Sequence, residues 1–202
     1  TPDASPTAVI VQDATTPLGD KSLQVEGGNI LQYSSVLNVK PSTGSTVCFW
    51  VKVVELLENG QTYVLELIGS DLSLNYILSN NNFRIENRRT LNLEITPSTI
   101  IETYAPYQHI CITFEHVLDA SNVEEQKISM LHNGNMVSEN MQSKTMSDSE
   151  GETWGVKFFN FFVTTAQEIS IFWSDFRVYE RVLTAEEIYA LYELGLPQPI
   201  VH

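Results

Sequence analysis

Short runs of β-branched and aromatic residues, separated by clusters of Gly, Pro, Asn and Ser, recur along nearly the whole chain. Such runs fit a pleated, half-buried surface, and their regular interruption by turn residues is the pattern of a sandwich or barrel. They fall at 22–25, 30–33, 46–54, 63–68, 72–78, 83–86, 91–95, 108–115, 127–132, 136–139, 156–163 and 168–179. That number of strands exceeds a small sandwich and predicts a large all-β, two-sheet antiparallel jelly roll. At 202 residues, such a domain buries roughly 70% of the surface its unfolded chain exposes, enough for a core without added cross-links.

Two local signals fix pieces of this architecture. Between 128–131 and Met136-Val137 stands His132-Asn133-Gly134-Asn135, and Asn-Gly supplies the two positive φ angles of a type I′ turn. The segment is therefore expected to be a hairpin. Helical spacing occurs once, where Thr184-Ala185-Glu186-Glu187 reads as a capping box. Ile188, Leu191, Tyr192 and Leu194 then form an apolar stripe, and Gly195 with Pro197 ends it.

Composition does not shift abruptly enough to divide the chain. Residues 1–7, rich in Pro, Ser and Thr, read as a flexible approach to one domain over 8–195, with 196–202 as a tail. Eleven Lys and Arg against 25 Asp and Glu give a formal charge of −14, which repels nucleic acid and anionic membrane surfaces. Neither is an expected partner, and without an apolar run of membrane-spanning length direct membrane insertion is not expected either.

Three stretches resemble one superfamily. Trp173-Ser-Asp-Phe-Arg-Val-Tyr179, continuing through Leu183-Thr-Ala-Glu-Glu-Ile188, resembles the closing strand and helix of laminin-G-like and pentraxin domains. His109-Ile-Cys-Ile-Thr113 is similar to the pentraxin signature, with Phe114 where that signature has tryptophan. Lys21–Tyr33 and Cys48-Phe-Trp-Val-Lys52 look like the opening strands of laminin-G-like domains. The resemblance implies a concanavalin A-type jelly roll, with the three stretches in family order.

By the same resemblance, Cys48 and Cys111 are expected to form a disulfide and the protein to be secreted or at the cell surface. The residues alone also fit two buried free thiols, which would leave a cytoplasmic location open. No Asn-x-Ser/Thr sequon occurs, so glycosylation lends the extracellular reading no support.

Catalytic groups are harder to place. Polysaccharide hydrolysis needs two carboxylates flanking the scissile bond, whereas the densest acidic cluster, Asp148-Ser-Glu-Gly-Glu152, reads as a solvated loop. The four histidines lack metal-ligand spacing, and no phosphate-cradling glycine loop or nucleophile elbow is present. The expectation is no enzyme and no zinc site.

Calcium is the one expected cofactor. The resemblance suggests an ion near the Glu26-Gly-Gly-Asn29 turn, with Asp175 contributing, because Ca2+ prefers six to eight oxygen ligands. The competing reading makes Glu26 and Asn29 turn formers and Asp175 an acceptor of backbone hydrogen bonds.

A recognition surface is expected at Asn82, Arg84, Arg88 and Arg89, where amides and guanidinium forks can hold a carboxylate, a sulfate or sugar hydroxyls. Ion pairing with the acidic surface is the alternative role for these arginines. The aromatics Tyr104, Tyr107 and Trp154, placed near loops, are candidates for stacking on a sugar or for the core. The expected function is thus non-catalytic recognition or adhesion, binding a glycan or protein ligand. The alternative is a protein–protein scaffold without glycan affinity. Oligomerisation through open sheet edges is permitted.

Overall fold

The computed structural model of the protein describes residues 8–12, 21–25, 30–37, 44–54, 61–68, 73–79, 82–87, 107–118, 120–142, 154–162 and 170–196. Within them run β1 (Ala8–Gln12), β2 (Lys21–Val25), β3 (Ile30–Leu37), β4 (Ser45–Val54), β5 (Gln61–Ile68), β6 (Ser73–Ser79), β7 (Asn82–Asn87), β8 (Gln108–Leu118), β9 (Glu124–His132), β10 (Asn135–Gln142), β11 (Trp154–Phe162), β12 (Ser170–Tyr179) and α1 (Ala185–Gly195). The run at 91–95 lies outside the described residues. Strand β1 was not expected: Ala8-Val-Ile-Val-Gln12 is short and follows a Pro-rich approach that masks it.

The strands form a seven-stranded sheet ordered β1-β2-β12-β4-β8-β9-β10 and a five-stranded sheet ordered β3-β11-β5-β6-β7. Every described pairing is antiparallel. The protein is therefore an all-β sandwich with one short C-terminal helix, as the recurrence of strand-like runs predicts. Strand β12, late in sequence, sits between β2 and β4, so the large sheet is closed by long-range pairing rather than by successive hairpins.

Alternation sorts the large sheet's side chains. Val47, Phe49 and Val51 on β4 pair in register with Ile112, Ile110 and Gln108 on β8, and Ile112 and Phe114 pair with Met130 and Ile128 on β9. These apolar residues are buried. Phe49 carries aromatic packing further, with the rings of Trp173 and Phe176 centred 5.3 and 6.1 Å away. A buried aromatic of this size contributes about 1.5–3 kcal/mol relative to exposure.

The opposite face of the same strands carries Cys48 and Trp50, whose register partners are Cys111 and His109. It is also buried, because α1 lies over it: Leu183 and Ile188 pack with Cys48, Cys111 and Leu131, and Tyr179 and Leu191 complete the layer. A strand buried on both faces reads as a continuous apolar run, which is how Val47–Val51 reads.

Two devices set the helix there. The Thr46 hydroxyl accepts from Leu183 N at 2.9 Å and donates to Arg181 O at 2.9 Å, tying the β12–α1 connection to β4. Thr184 then caps the helix, accepting from Glu187 N, while the Glu187 carboxylate accepts from Thr184 N. The expected stripe needs one correction. Leu194 is 60% exposed, since it points away from the face that holds Ile188; at 100° per residue the two stand more than a right angle apart.

Candidate functional site

The densest set of polar and aromatic groups among the described residues lies where the start of β8 meets the β9–β10 hairpin and α1. The hairpin tip is built as its sequence predicts. Asn133 and Gly134 have φ of 49° and 77°, the pair of left-handed residues a type I′ turn requires. A β-carbon on Gly134 would stand 2.7 Å from Tyr189 Cδ2, so glycine here serves both the turn and the close approach of α1.

Asn133 then acts as an extra strand residue. Its N–H donates to His109 O at 2.8 Å, its Oδ1 accepts from His109 N at 2.9 Å, and its Nδ2 donates to Gln108 Oε1 at 3.0 Å. The same Gln108 oxygen lies 2.7 Å from His132 Nε2. An amide oxygen only accepts, so His132 carries its proton on Nε2 and offers Nδ1 as an acceptor. Burial lowers the pKa of His132 below its ordinary 6.5.

His109 points to the other face of β8, beneath the helix. Its ring lies 4.8 Å from Trp50 and 6.2 Å from Tyr192, and Trp50 stacks with Tyr192 at 5.8 Å. Burial, then the positive charges of Arg177 and His132, push its pKa down to about 4. It is a neutral imidazole at physiological pH. Its Nε2 stands 3.6 Å from Cys111 Sγ, and Cys111 is disulfide-bonded to Cys48, its direct cross-strand partner. The residue is 2% exposed, which keeps its ring from exchanging protons with a substrate in solution. Its Nδ1 and the neighbouring Trp50 Nε1 have no hydrogen-bond partner among the described residues.

The sites expected from sequence are dispersed. Asn82 and Arg84 lie on β7, opposite Ser79 and Ile77, and β7 is the terminal strand of the five-stranded sheet. Arg88 and Arg89 lie outside the described residues, as do Glu26, Asn29, Tyr104 and the cluster at 148–152. Trp154 is the first residue of β11, opposite Leu37. Tyr107 is buried, with the Lys52 ammonium 5.4 Å from its ring centroid.

Asp175 is described in full. It has φ of 47° within a bulge of β12 between Ser174 and Arg177, and its Oδ1 accepts from Arg177 Nε at 2.8 Å. The bulge brings Phe176 against Phe49 and sets Arg177 opposite Cys48, the local re-aiming that bulges produce.

Sequence reasoning missed the His109, His132, Gln108 and Asn133 assembly. A signal existed in Gln108-His109 preceding a strong strand and His132-Asn133 ending another, but only antiparallel pairing of β8 with β9 joins them.

No protein-family model matches the chain, and no curated protein matches it in sequence. Solved structures do match in fold. The binding domain of botulinum neurotoxin DC in complex with SialylT superposes with a TM-score of 0.66 at 12% identity, covering 95% of this chain and 45% of that one. A structure described by the cell entry of botulinum neurotoxin type C, dependent on two ganglioside molecules, gives 0.68 at 10% identity, covering 98% and 47%. The neurotoxin DC binding domain with rat synaptotagmin II gives 0.65 at 10% identity, covering 96% and 46%. The likeness is one of fold, and the chain spans about half the length of these structures.

Proposed function

We propose that this protein is a non-catalytic binding module whose ligand is a glycan or protein displayed on a surface or in matrix. The observation that carries this reading is the superposition of nearly the whole chain onto about half the length of neurotoxin binding domains. A fold alone does not fix function, so the reading rests equally on where recognition groups lie. Asn82 and Arg84 stand on an open sheet edge, next in sequence to Arg88 and Arg89, and guanidinium forks suit an acidic sugar. The unit is one laminin-G/pentraxin-like jelly roll over residues 8–195, in a secreted or surface protein, as the Cys48–Cys111 disulfide favours.

The test is a glycan array probed with the oxidised domain, with and without Ca2+, followed by a sialylated oligosaccharide titrated against the triple variant R84A/R88A/R89A. Binding that falls at least about tenfold in the variant supports the reading, the loss expected from charge-assisted hydrogen bonds. Binding unaffected by the variant moves the site elsewhere. Ca2+ dependence would support an ion held by Glu26, Asn29 and Asp175, for which Arg177 now competes. A protein ligand is the second reading, favoured by Met136 and Met141, which are half exposed on β10, the terminal strand of the larger sheet.

A further inference from the structure

The Sγ atoms of Cys48 and Cys111 and a ring nitrogen of His109 all lie within 4.8 Å of one another, and all three residues are buried. His109 and Cys111 are two apart on β8, hence on one face, and Cys48 is the cross-strand partner of Cys111 on β4. Two sulfurs and an imidazole nitrogen converging on one point are a ligand set for a soft cation. In the oxidised protein the two sulfurs are bonded to each other, and neither is free to bind an ion.

We propose that reduction converts this disulfide into a three-coordinate site for Cu(I), formed by the Cys48 and Cys111 thiolates and His109 Nε2. A dithiol reductant gives two electrons and two protons to the disulfide, breaking the sulfur–sulfur bond and becoming oxidised itself. One Cu(I) then displaces both thiol protons and forms two bonds to sulfur and one to nitrogen. Metal–sulfur bonds of about 2.3 Å require the two sulfurs to part to about 4 Å, which becomes possible only once reduction has broken the bond between them.

The surroundings select among ions. Leu131, Leu183 and Ile188 pack with the cysteines, and among the described residues no fourth His, Cys, Asp or Glu joins the three donors, whereas a structural zinc site takes four. Cu(I) takes soft thiolate ligands. Two thiolates and one Cu(I) leave a net negative charge, and the Arg177 register position opposite Cys48 puts a cation on that row, with Asp175 sharing it. Disulfide and metal site are mutually exclusive, so redox state decides whether these residues cross-link the sheet or hold an ion. This inference does not depend on the binding-module reading.

The experiment uses the whole chain, reduced with dithiothreitol and desalted anaerobically, then titrated with Cu(I) against the coloured competitor bicinchoninate. The reduced protein is expected to withdraw one equivalent, whereas the oxidised protein and the double variant C48A/C111A withdraw none. The oxidised protein retains every methionine and histidine, so it reports unspecific uptake. His109→Ala is expected to weaken uptake by more than the roughly tenfold that loss of an outer-shell partner costs. Far-UV circular dichroism is followed throughout. Should reduction unfold the chain, Cu(I) is expected to restore the strand signal. Uptake by the reduced protein no greater than by the double variant, or no recovery of an unfolded reduced chain, overturns the proposal.

Discussion

Arg181 grips the Glu187 carboxylate with both terminal nitrogens, Nη1 to Oε2 at 2.7 Å and Nη2 to Oε1 at 2.6 Å, across the first turn of α1. The same carboxylate accepts from Thr184 N at 2.9 Å. One side chain therefore closes the capping box and anchors the segment that brings the helix onto the disulfide face.

The fork holds the Glu187 pKa at about 2, below its ordinary 4.5, with Arg181 the larger cause and the Thr184 N–H the next. A depressed carboxylate contributes stability above its unfolded pKa and loses it as pH falls towards the folded one. Urea midpoints of wild type and Glu187→Gln are expected to converge between pH 4.5 and about 2. Because the pair is exposed, salt should narrow the difference at neutral pH.

His109 titrates in the same sense, with burial rather than a hydrogen-bonded partner as the leading cause. Its folded pKa of about 4 lies below the ordinary 6.5, so the unfolded chain binds the proton first and acid favours unfolding. Stability is expected to fall by about 3 kcal/mol between pH 6.5 and 4, since each tenfold loss of proton affinity on folding corresponds to about 1.36 kcal/mol. His132 adds in the same direction. His109→Gln should flatten much of that slope, read as urea midpoints at neutral pH and at two points between the folded and unfolded pKa values.

Gly134→Ala should destabilise by about 1–2 kcal/mol, the cost of a left-handed conformation for a residue with a β-carbon. The new carbon also meets Tyr189 Cδ2 at 2.7 Å, so the Tyr189 ring or the backbone that carries it must shift. Equilibrium unfolding measures the loss, and a changed near-ultraviolet tyrosine signal reports the displacement. An unchanged midpoint would contradict the described turn.

The disulfide joins residues 63 apart, a closure worth about 4 kcal/mol on the chain-entropy account. The double variant C48A/C111A is expected to unfold at correspondingly lower urea. Intact mass after alkylation should show both thiols blocked until reduction. Labelling of both in unfolded, unreduced protein would contradict the bond.

Much of this architecture was legible because its signals are local. Asn133-Gly134 needs only its own backbone to specify a turn, and Thr184 and Glu187 close their box within four residues. Strand-like runs such as Val47–Val51 declare themselves by composition. What escaped detection lacked a local signature. Strand β1 is five residues long, and Leu194 continues the apolar composition of α1 while facing away from the sheet. Trp154, which follows a loop-like acidic cluster in sequence, opens a strand. The resemblance, not the spacing, pointed to Cys48 and Cys111 as partners.

By itself the sequence determined an antiparallel sandwich, its hairpin and its capped helix, since alternation, turn chemistry and capping are set within a few residues. Only the tertiary structure decided that β12 enters between β2 and β4, and that α1 covers the outer face of β4 and β8. Those pairings join segments far apart in the chain, and their free energy comes from surfaces that meet only when the sheet is assembled. The juxtaposition of His109 with two sulfurs, one of them on a different strand, belongs to that second class.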